Sequence, residues 1–513
     1  MSAFEDKRVV PKPISATSSS RVTLLRFLSS PVLTVFLVIV AMAQQIIGHL
    51  DCDVSWFITF AEKYVDGQIA YVDVADPNPP AAFLSLVPAV LVARALNVTV
   101  EPVVVALILL FAAASIGMTF YVLRQGRTRS REEWGALLNG AIYLLLITPE
   151  IAFAEREHLA LLSMAPMLAV LAVGVRASRP PVLPRAIAGV GAGLAICFKP
   201  YFVLAIAFPA LAIAWRERSL RSLWRAEFWA AAVVVLLYGL AIFGFFPAYR
   251  DYAAPLIVDV YAPARDSWTN LALHTLLPAQ LVLLAAFAYA AVAVRGAPQL
   301  ARVAAWASVG FLLSFLIQGK GWINHAYPGV ALILFAWMAF ILENRQHPIA
   351  DSRLVKFLFI PMLIAAPVLH AGVNQWSNEE EHPGLREAIA RVASAHPRII
   401  AIARQLDFGH PVTRQLEGSW VGRQNALWTS SFVAQLLPRA SDPAYRERLL
   451  DYRRNDLLAL AQDITNARPD VIIVESEGTR EWVLKQPETA AVLNSYSRAD
   501  SAGEIEIWTR RPD

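Results

Sequence analysis

The sequence predicts a polytopic α-helical membrane protein of about eleven spans, with one further helix at the outer surface and a small extracytoplasmic α/β domain at its C-terminal end. Three observations predict it. Apolar runs of roughly span length recur between residues 27 and 373 of a 513-residue chain that is 57% hydrophobic, with a mean hydropathy of +0.47. Basic residues gather in alternate loops, as orientation by cytoplasmic positive charge requires. After residue 374 the apolar runs stop and charged residues become frequent.

The elements follow in order. Residues 1–25 are polar, with Lys7, Arg8, Lys12 and Arg21 beside a Ser/Thr cluster. No small-residue cleavage site follows promptly, so this reads as a cytoplasmic tail before an uncleaved first span. Apolar runs then fall at 27–48, 81–96, 102–123, 134–149, 158–175, 186–198, 200–215, 228–247, 271–294, 303–317, 326–342 and 355–373. If all of them cross, Arg124, Arg127, Arg129 and Arg131 lie outside, and so do Arg216, Arg218, Arg221 and Arg225, against the positive-inside rule. Leaving out 81–96 removes every conflict at once. That run follows Pro79-Pro80, contains Pro88 and ends near Arg94, so it reads as a helix lying at the outer interface.

With that assignment the basic loops at 124–131, 176–185, 216–225, 295–302 and 344–356 face the cytoplasm. The other face collects Asp51 and Asp53, Glu155-Arg156-Glu157-His158, Lys199-Pro200-Tyr201, Tyr249 to Asp266 with Arg265, and Lys320-Gly321-Trp322-Ile323-Asn324-His325. Run 186–198 reaches only about 20 Å at about 1.5 Å per residue, so Lys199 falls below the outer surface. It lines a cavity wall there, or snorkels from a helix end. The formal net charge of +4 is carried in loops where orientation explains it, so nucleic acid is not an expected partner. Two cysteines, Cys52 and Cys197, exclude a disulfide framework but leave one bond between them open.

The stretch from Asp51 to Pro80 is the most unusual. Trp56, Phe57, Phe60, Ala61 and Tyr64 recur at helical spacing until Gly67, and Asp73, Asp76 and Asn78-Pro79-Pro80 follow. Helices that lie on a membrane usually carry Lys and Arg, whereas this one is acidic. Asp51 and Asp53 would point to opposite faces of a strand, or about 200° apart on a helix. The pair is therefore not expected to act as equivalent bases. In the C-terminal part, 398–403 and 471–475 read as buried strands and 504–509 alternates with period two. Helical patterns lie near 384–395, 424–437, 442–466 and 479–493. The expected division is a tail (1–25), a transmembrane domain (26–374) with its first outer loop at 49–100, and the α/β domain (375–513).

Carboxylates facing Arg and Lys at a membrane surface suit transfer from a phosphate leaving group. A base takes the acceptor proton and cations hold the phosphate. The spacing Asp53, Ala61, Gly67 and Asn78-Pro79-Pro80 resembles the GT-C superfamily of membrane glycosyltransferases, in particular the bacterial family 39-like members, over about the first 250 residues. The resemblance implies a polyprenyl-phosphate sugar donor and a glycan, lipid or protein acceptor of the cell envelope. It also implies a plasma-membrane enzyme acting on the outer face, with Asp53 as catalytic base. Asp51 would then orient the acceptor or a cation. Arg156, Lys199 and Lys320 are candidate phosphate contacts, and His325, Glu155, Glu157, His158, Asn78, Tyr201, Arg265 and Trp322 are further candidates for substrate binding on that face. Trp322 could stack a sugar or anchor the interface. Many relatives carry Asp-Glu where this chain has Asp53-Val54, which leaves a metal requirement open. A divalent cation is a candidate cofactor, although Glu155, Glu157 and His158 match no recognised metal spacing. A lipid-linked glycan flippase or polymerase, or a non-catalytic assembly protein, are the alternatives.

Overall fold

The computed structural model describes residues 25–173, 180–273, 275–344 and 382–511. The apolar run 355–373 and nearly all of the N-terminal tail lie outside these residues.

The described membrane part is helical throughout. Its main helices are α1 (Pro31–Ile47), α2 (Cys52–Val65), α3 (Val87–Leu96), α4 (Val100–Arg124), α5 (Arg131–Ile142) and α6 (Arg156–Val173). They continue as α7 (Val182–Phe198), α8 (Leu204–Glu217), α9 (Ala226–Phe245), α10 (Leu277–Ala293), α11 (Gln299–Gln318) and α12 (Ile323–Glu343). Local chemistry sets several starts. Ser30 caps α1 ahead of Pro31, and Ser130 and Glu133 form a capping box on α5. Among the described residues six helices are long and apolar enough to cross a membrane, or seven if α1 and α2 count as one broken span. The expected eleven exceed this because α7 and α10 are short apolar helices, α5 passes into a π-helical turn at Tyr143–Ile147, and the run 355–373 lies outside the described residues.

The first loop folds as an amphipathic layer. α2 turns 70° away from α1. The run 81–96 is two short helices, Ala81–Leu84 and α3, at most about 24 Å long at 1.5 Å per residue. Phe60 stacks on Phe83 with centroids 4.2 Å apart, and Tyr64, Tyr71 and Phe246 pack around them. Arg94 closes the layer with an ion pair to Asp66 at 2.7 Å.

Residues 382–511 form an α/β unit. Its strands are β1 (Arg398–Ile402), β2 (Ser419–Trp420), β3 (Val471–Val474), β4 (Tyr496–Ala502) and β5 (Ile505–Arg510), in the order β2-β1-β3-β5-β4. β1 pairs parallel with β2 and β3, while β5 runs antiparallel to β3 and β4. The sheet is flanked by α13 (Leu385–Val392), α14 (Trp428–Leu436), α15 (Pro443–Ala467), α16 (Glu477–Leu484) and α17 (Pro487–Leu493). β1 and β3 are the two apolar runs expected as strands. β2 has two residues, and β4 is a largely polar edge strand, so neither carries the hydrophobic signature that periodicity detects.

This unit docks on the first loop. Arg414 donates to Glu62 at 2.5 and 3.1 Å and to Glu101 at 2.5 Å. Lys63 Nζ reaches the Gly422 carbonyl at 2.9 Å, and the Ala75 amide donates to Arg423 O at 2.7 Å. A second seam joins α15 to the 249–267 stretch, where Tyr445 and Tyr452 both donate to Asp259.

Candidate active site

The site is built where helices begin. Asp51 is the N-cap of α2, and its Oδ2 accepts the Asp53 amide at 2.9 Å. Asp53 follows in the first turn, where the helix dipole favours negative charge. α6 begins at Arg156, so Glu155, Arg156 and Glu157 emerge together from a second N-terminus. α12 brings His325 from its first turn. Three positive helix ends thus surround one buried region, an arrangement suited to anions.

Two ion networks meet there. In the first, Arg156 donates to Asp53 and, at 3.2 Å, to Glu155, with its guanidinium 4.8 Å from the Phe57 ring centroid. In the second, Lys199 Nζ touches Glu157 at 2.5 Å, Gln318 Oε1 at 2.8 Å and His325 Nε2 at 3.0 Å. Arg156 and Glu157 are sequence neighbours and join the two. Every charged residue of both networks except Asp53 is almost fully buried. Buried charge is tolerated only when paired, and here each cation has its carboxylate. Among the described residues four atoms of these networks find no hydrogen-bond partner: Glu155 Oε1, Arg156 Nε, Glu157 Oε2 and His325 Nδ1.

Outside the spans the electrostatics are uneven. Burial, with the Asp53 charge next, pushes the Asp51 carboxyl up to about 6. Burial and then Asp53 raise Glu155 well above the usual carboxylate range. Ligand oxygens of Asp51, Asp53 and Glu155 lie within 4.8 Å of one another, so among the described residues these three, and not Glu155 with Glu157 and His158, are the set that could hold a divalent cation. Arg156 already neutralises part of that charge.

Several sequence expectations are corrected. Asp51 and Asp53 converge instead of diverging, because a capping residue stands outside both helix and strand geometry and turns its side chain forward over the first turn of the helix. His158 accepts the Ala154 amide at Nδ1 and contacts Leu145 O through Nε2, so both ring nitrogens serve the backbone. Lys320 does not join Arg156 and Lys199. Its ammonium donates to the carbonyls of Tyr261, at 2.6 Å, and Ala264, between the rings of Tyr261 and Phe432. Burial, with Arg265 and Lys199 nearby, lowers it to about 7. Arg265 donates to the carbonyls of Leu316 and Ile317. Asn78 donates twice to Asp76, at 2.7 and 2.8 Å, and braces the loop. Tyr201 is half-buried next to Lys199, and Trp322 stays part-exposed with its ring 5.1 Å from His325.

Sequence reasoning missed Gln318 and Asp76. Gln318 is a lone polar residue at the end of an apolar run, which is a usable signal. Asp76 accepts Trp56 Nε1 at 2.8 Å besides Asn78, and Asn425 of the α/β unit approaches it at 3.5 Å. No local pattern announces that partnership.

No family model and no curated protein matches the sequence. Among solved structures, ArnT from Cupriavidus metallidurans in the apo state aligns over 97% of this chain and 100% of its own. The identity is 13% and the TM-score 0.53. The structure of ArnT bound to undecaprenyl phosphate aligns over 94% of this chain and 99% of its own, at 12% identity and a TM-score of 0.47. Over the aligned residues the chain therefore has the fold seen in ArnT.

Proposed function

We propose that this protein is a membrane glycosyltransferase. It moves a sugar from a polyprenyl-phosphate donor to a hydroxyl of a cell-envelope glycan, lipid or protein. The reaction takes place on the side of the plasma membrane that carries the first loop and the α/β unit, which is the outer side when the basic loops face the cytoplasm. ArnT, whose fold the chain shares, has been crystallised with undecaprenyl phosphate, and the phosphate of such a donor suits the Arg156 guanidinium.

The observation that carries the reading is the Arg156 bridge to Asp53 and Glu155 at the meeting of three helix N-termini. In the resting site Arg156 neutralises the carboxylates. A donor phosphate arriving there competes for the guanidinium and draws it from Asp53. The freed carboxylate accepts the proton of the acceptor O–H. The acceptor oxygen then bonds to the anomeric carbon, and the carbon–oxygen bond to phosphate breaks. Its electron pair leaves on the phosphate oxygen, which Arg156 stabilises. Lys199, satisfied by Glu157, Gln318 and His325, fixes the adjoining wall.

The test is sugar transfer from a lipid-phosphate donor by purified protein in nanodiscs. Asp53→Asn keeps the shape and removes the base, so turnover should fall by roughly 10²–10⁴ with donor binding retained. Asp51→Asn should cost less. Full activity in Asp53→Asn would sink the assignment.

A further inference from the structure

The helices that carry the buried cluster run away from it, and their far ends enclose a groove. α6 leaves from Arg156 and ends at Val173, about 27 Å away at 1.5 Å per residue. α8, α11 and α12 meet the cluster near Lys199, Gln318 and His325, and their opposite ends supply Arg216, Arg302 and Glu343. The groove holds about 1110 Å³, and its walls include Val173, Phe208, Ile213, Val303 and Trp306. This is somewhat more space than the roughly 300–1,000 Å³ of most small-molecule sites.

The polar rim is not balanced. Arg127, Arg129, Arg216 and Arg302 line it together with Glu217 and Glu343. Glu343 takes Arg127 at 2.7 Å and Arg129 at 2.6 Å, and Glu217 pairs with Arg225 at 3.6 Å. Among the described residues Arg216 and Arg302 have no carboxylate partner. Both donate to one neutral acceptor, Gln299 Oε1, at 3.3 and 2.6 Å. Two guanidiniums are thereby held on a single amide oxygen with no carboxylate among the described residues to offset them, and a phosphate would relieve their repulsion. Among the described residues the Nε of Arg129, whose side chain is nearly buried, also has no hydrogen-bond partner.

The depth of the rim is marked independently. Trp215 is 88% exposed and Trp306 43%, and both line the groove. Exposed Trp224, just before α9, packs on exposed Trp229 in its first turns. Indoles of this kind sit at headgroup level.

We propose that this groove binds an anionic glycerophospholipid of the leaflet opposite the carboxylate cluster, with its phosphate on Arg216 and Arg302 and an acyl chain along Phe208, Val303 and Trp306. Basic pockets between membrane helices recognise such headgroups. The inference rests on the membrane fold and not on the transferase reading, so a failed transfer assay leaves it standing.

Native mass spectrometry of the full chain in detergent, with added phosphatidylglycerol or phosphatidylcholine, tests it. Phosphatidylglycerol adducts should form at lower lipid concentration than phosphatidylcholine adducts. In Arg216→Gln/Arg302→Gln their affinity should drop roughly thirtyfold, with phosphatidylcholine unaffected. Phosphatidylglycerol should also raise the Tm of the parent protein more than phosphatidylcholine does, a measurement that needs no variant. Equal adducts and equal Tm shifts for the two lipids would overturn the proposal. So would a double variant that binds phosphatidylglycerol as the parent does, or a groove that takes no lipid because the chain itself fills it.

Discussion

Lys199 brings a charge into a buried site and meets three acceptors there: Glu157, Gln318 and His325. Asp76 does the converse, an acceptor taking donors from Trp56 and Asn78. Each buried donor left unpaired costs about 1–3 kcal/mol, whereas removing both partners is close to neutral. Asp76→Ala should therefore lower thermal stability in detergent, and Trp56→Phe added to it should cost less than Trp56→Phe alone. Additive losses would show that the contact carries no coupling. Asp51 gives a pH prediction. Its folded pKa of about 6 exceeds the ordinary 3.8 of an aspartate, so the folded state binds the proton more tightly. Stability is thus favoured below about 4 and lost as pH rises towards 6. Asn caps a helix as well as Asp does. Asp51→Asn should therefore gain in Tm relative to the parent between pH 4 and pH 7. A constant difference across that range would mean that Asp51 ionises as it does in the unfolded chain.

At the scale of elements, the α/β unit and α2 act as one layer over the site. Arg414 ties them together, since one guanidinium serves Glu62 on α2 and Glu101 on α4. Charge-assisted bonds of this kind contribute about 1.5–3 kcal/mol. Arg414→Ala should loosen the docking and speed hydrogen exchange across residues 56–66 and 412–424, with the sheet core of β1 and β3 unchanged. Unaltered exchange in those segments would leave the seam at Asp259 and the Asp76 contact as the true fastening. The 70° turn between α1 and α2 belongs to the same scale. It lays an acidic, aromatic helix across the bundle end and brings Asp53 to Arg156.

For the whole molecule, the helices running from cluster to groove set the polarity. The carboxylates and the α/β unit lie at one end, and the Arg-lined groove and the 124–131 loop lie at the other. Thr128→Cys and Lys485→Cys are exposed positions at opposite ends. In a background lacking Cys52 and Cys197, an impermeant thiol reagent should label position 485 in intact cells and reach position 128 only after the membrane is opened. Labelling of both from outside would refute the orientation.

Much of this was legible in the sequence, for a physical reason. Water and lipid act on each segment separately, so the apolar runs, the short helix after Pro79-Pro80, the strands 398–402 and 471–474 and the gathering of Asp53, Arg156, Lys199 and His325 on one face follow from local composition and charge parity. Partnership does not follow from it. Whether Arg156 meets Asp53 while Lys320 turns to backbone carbonyls depends on crossing angles and on where each helix begins, to within a fraction of a turn. The convergence of Asp51 with Asp53, the loss of His158 to the backbone, and the Asp76 bond to Trp56 were decided only when the helices and the α/β unit packed. A buried polar group takes whichever partner the tertiary structure brings within about 3 Å, and sequence spacing alone does not measure that distance.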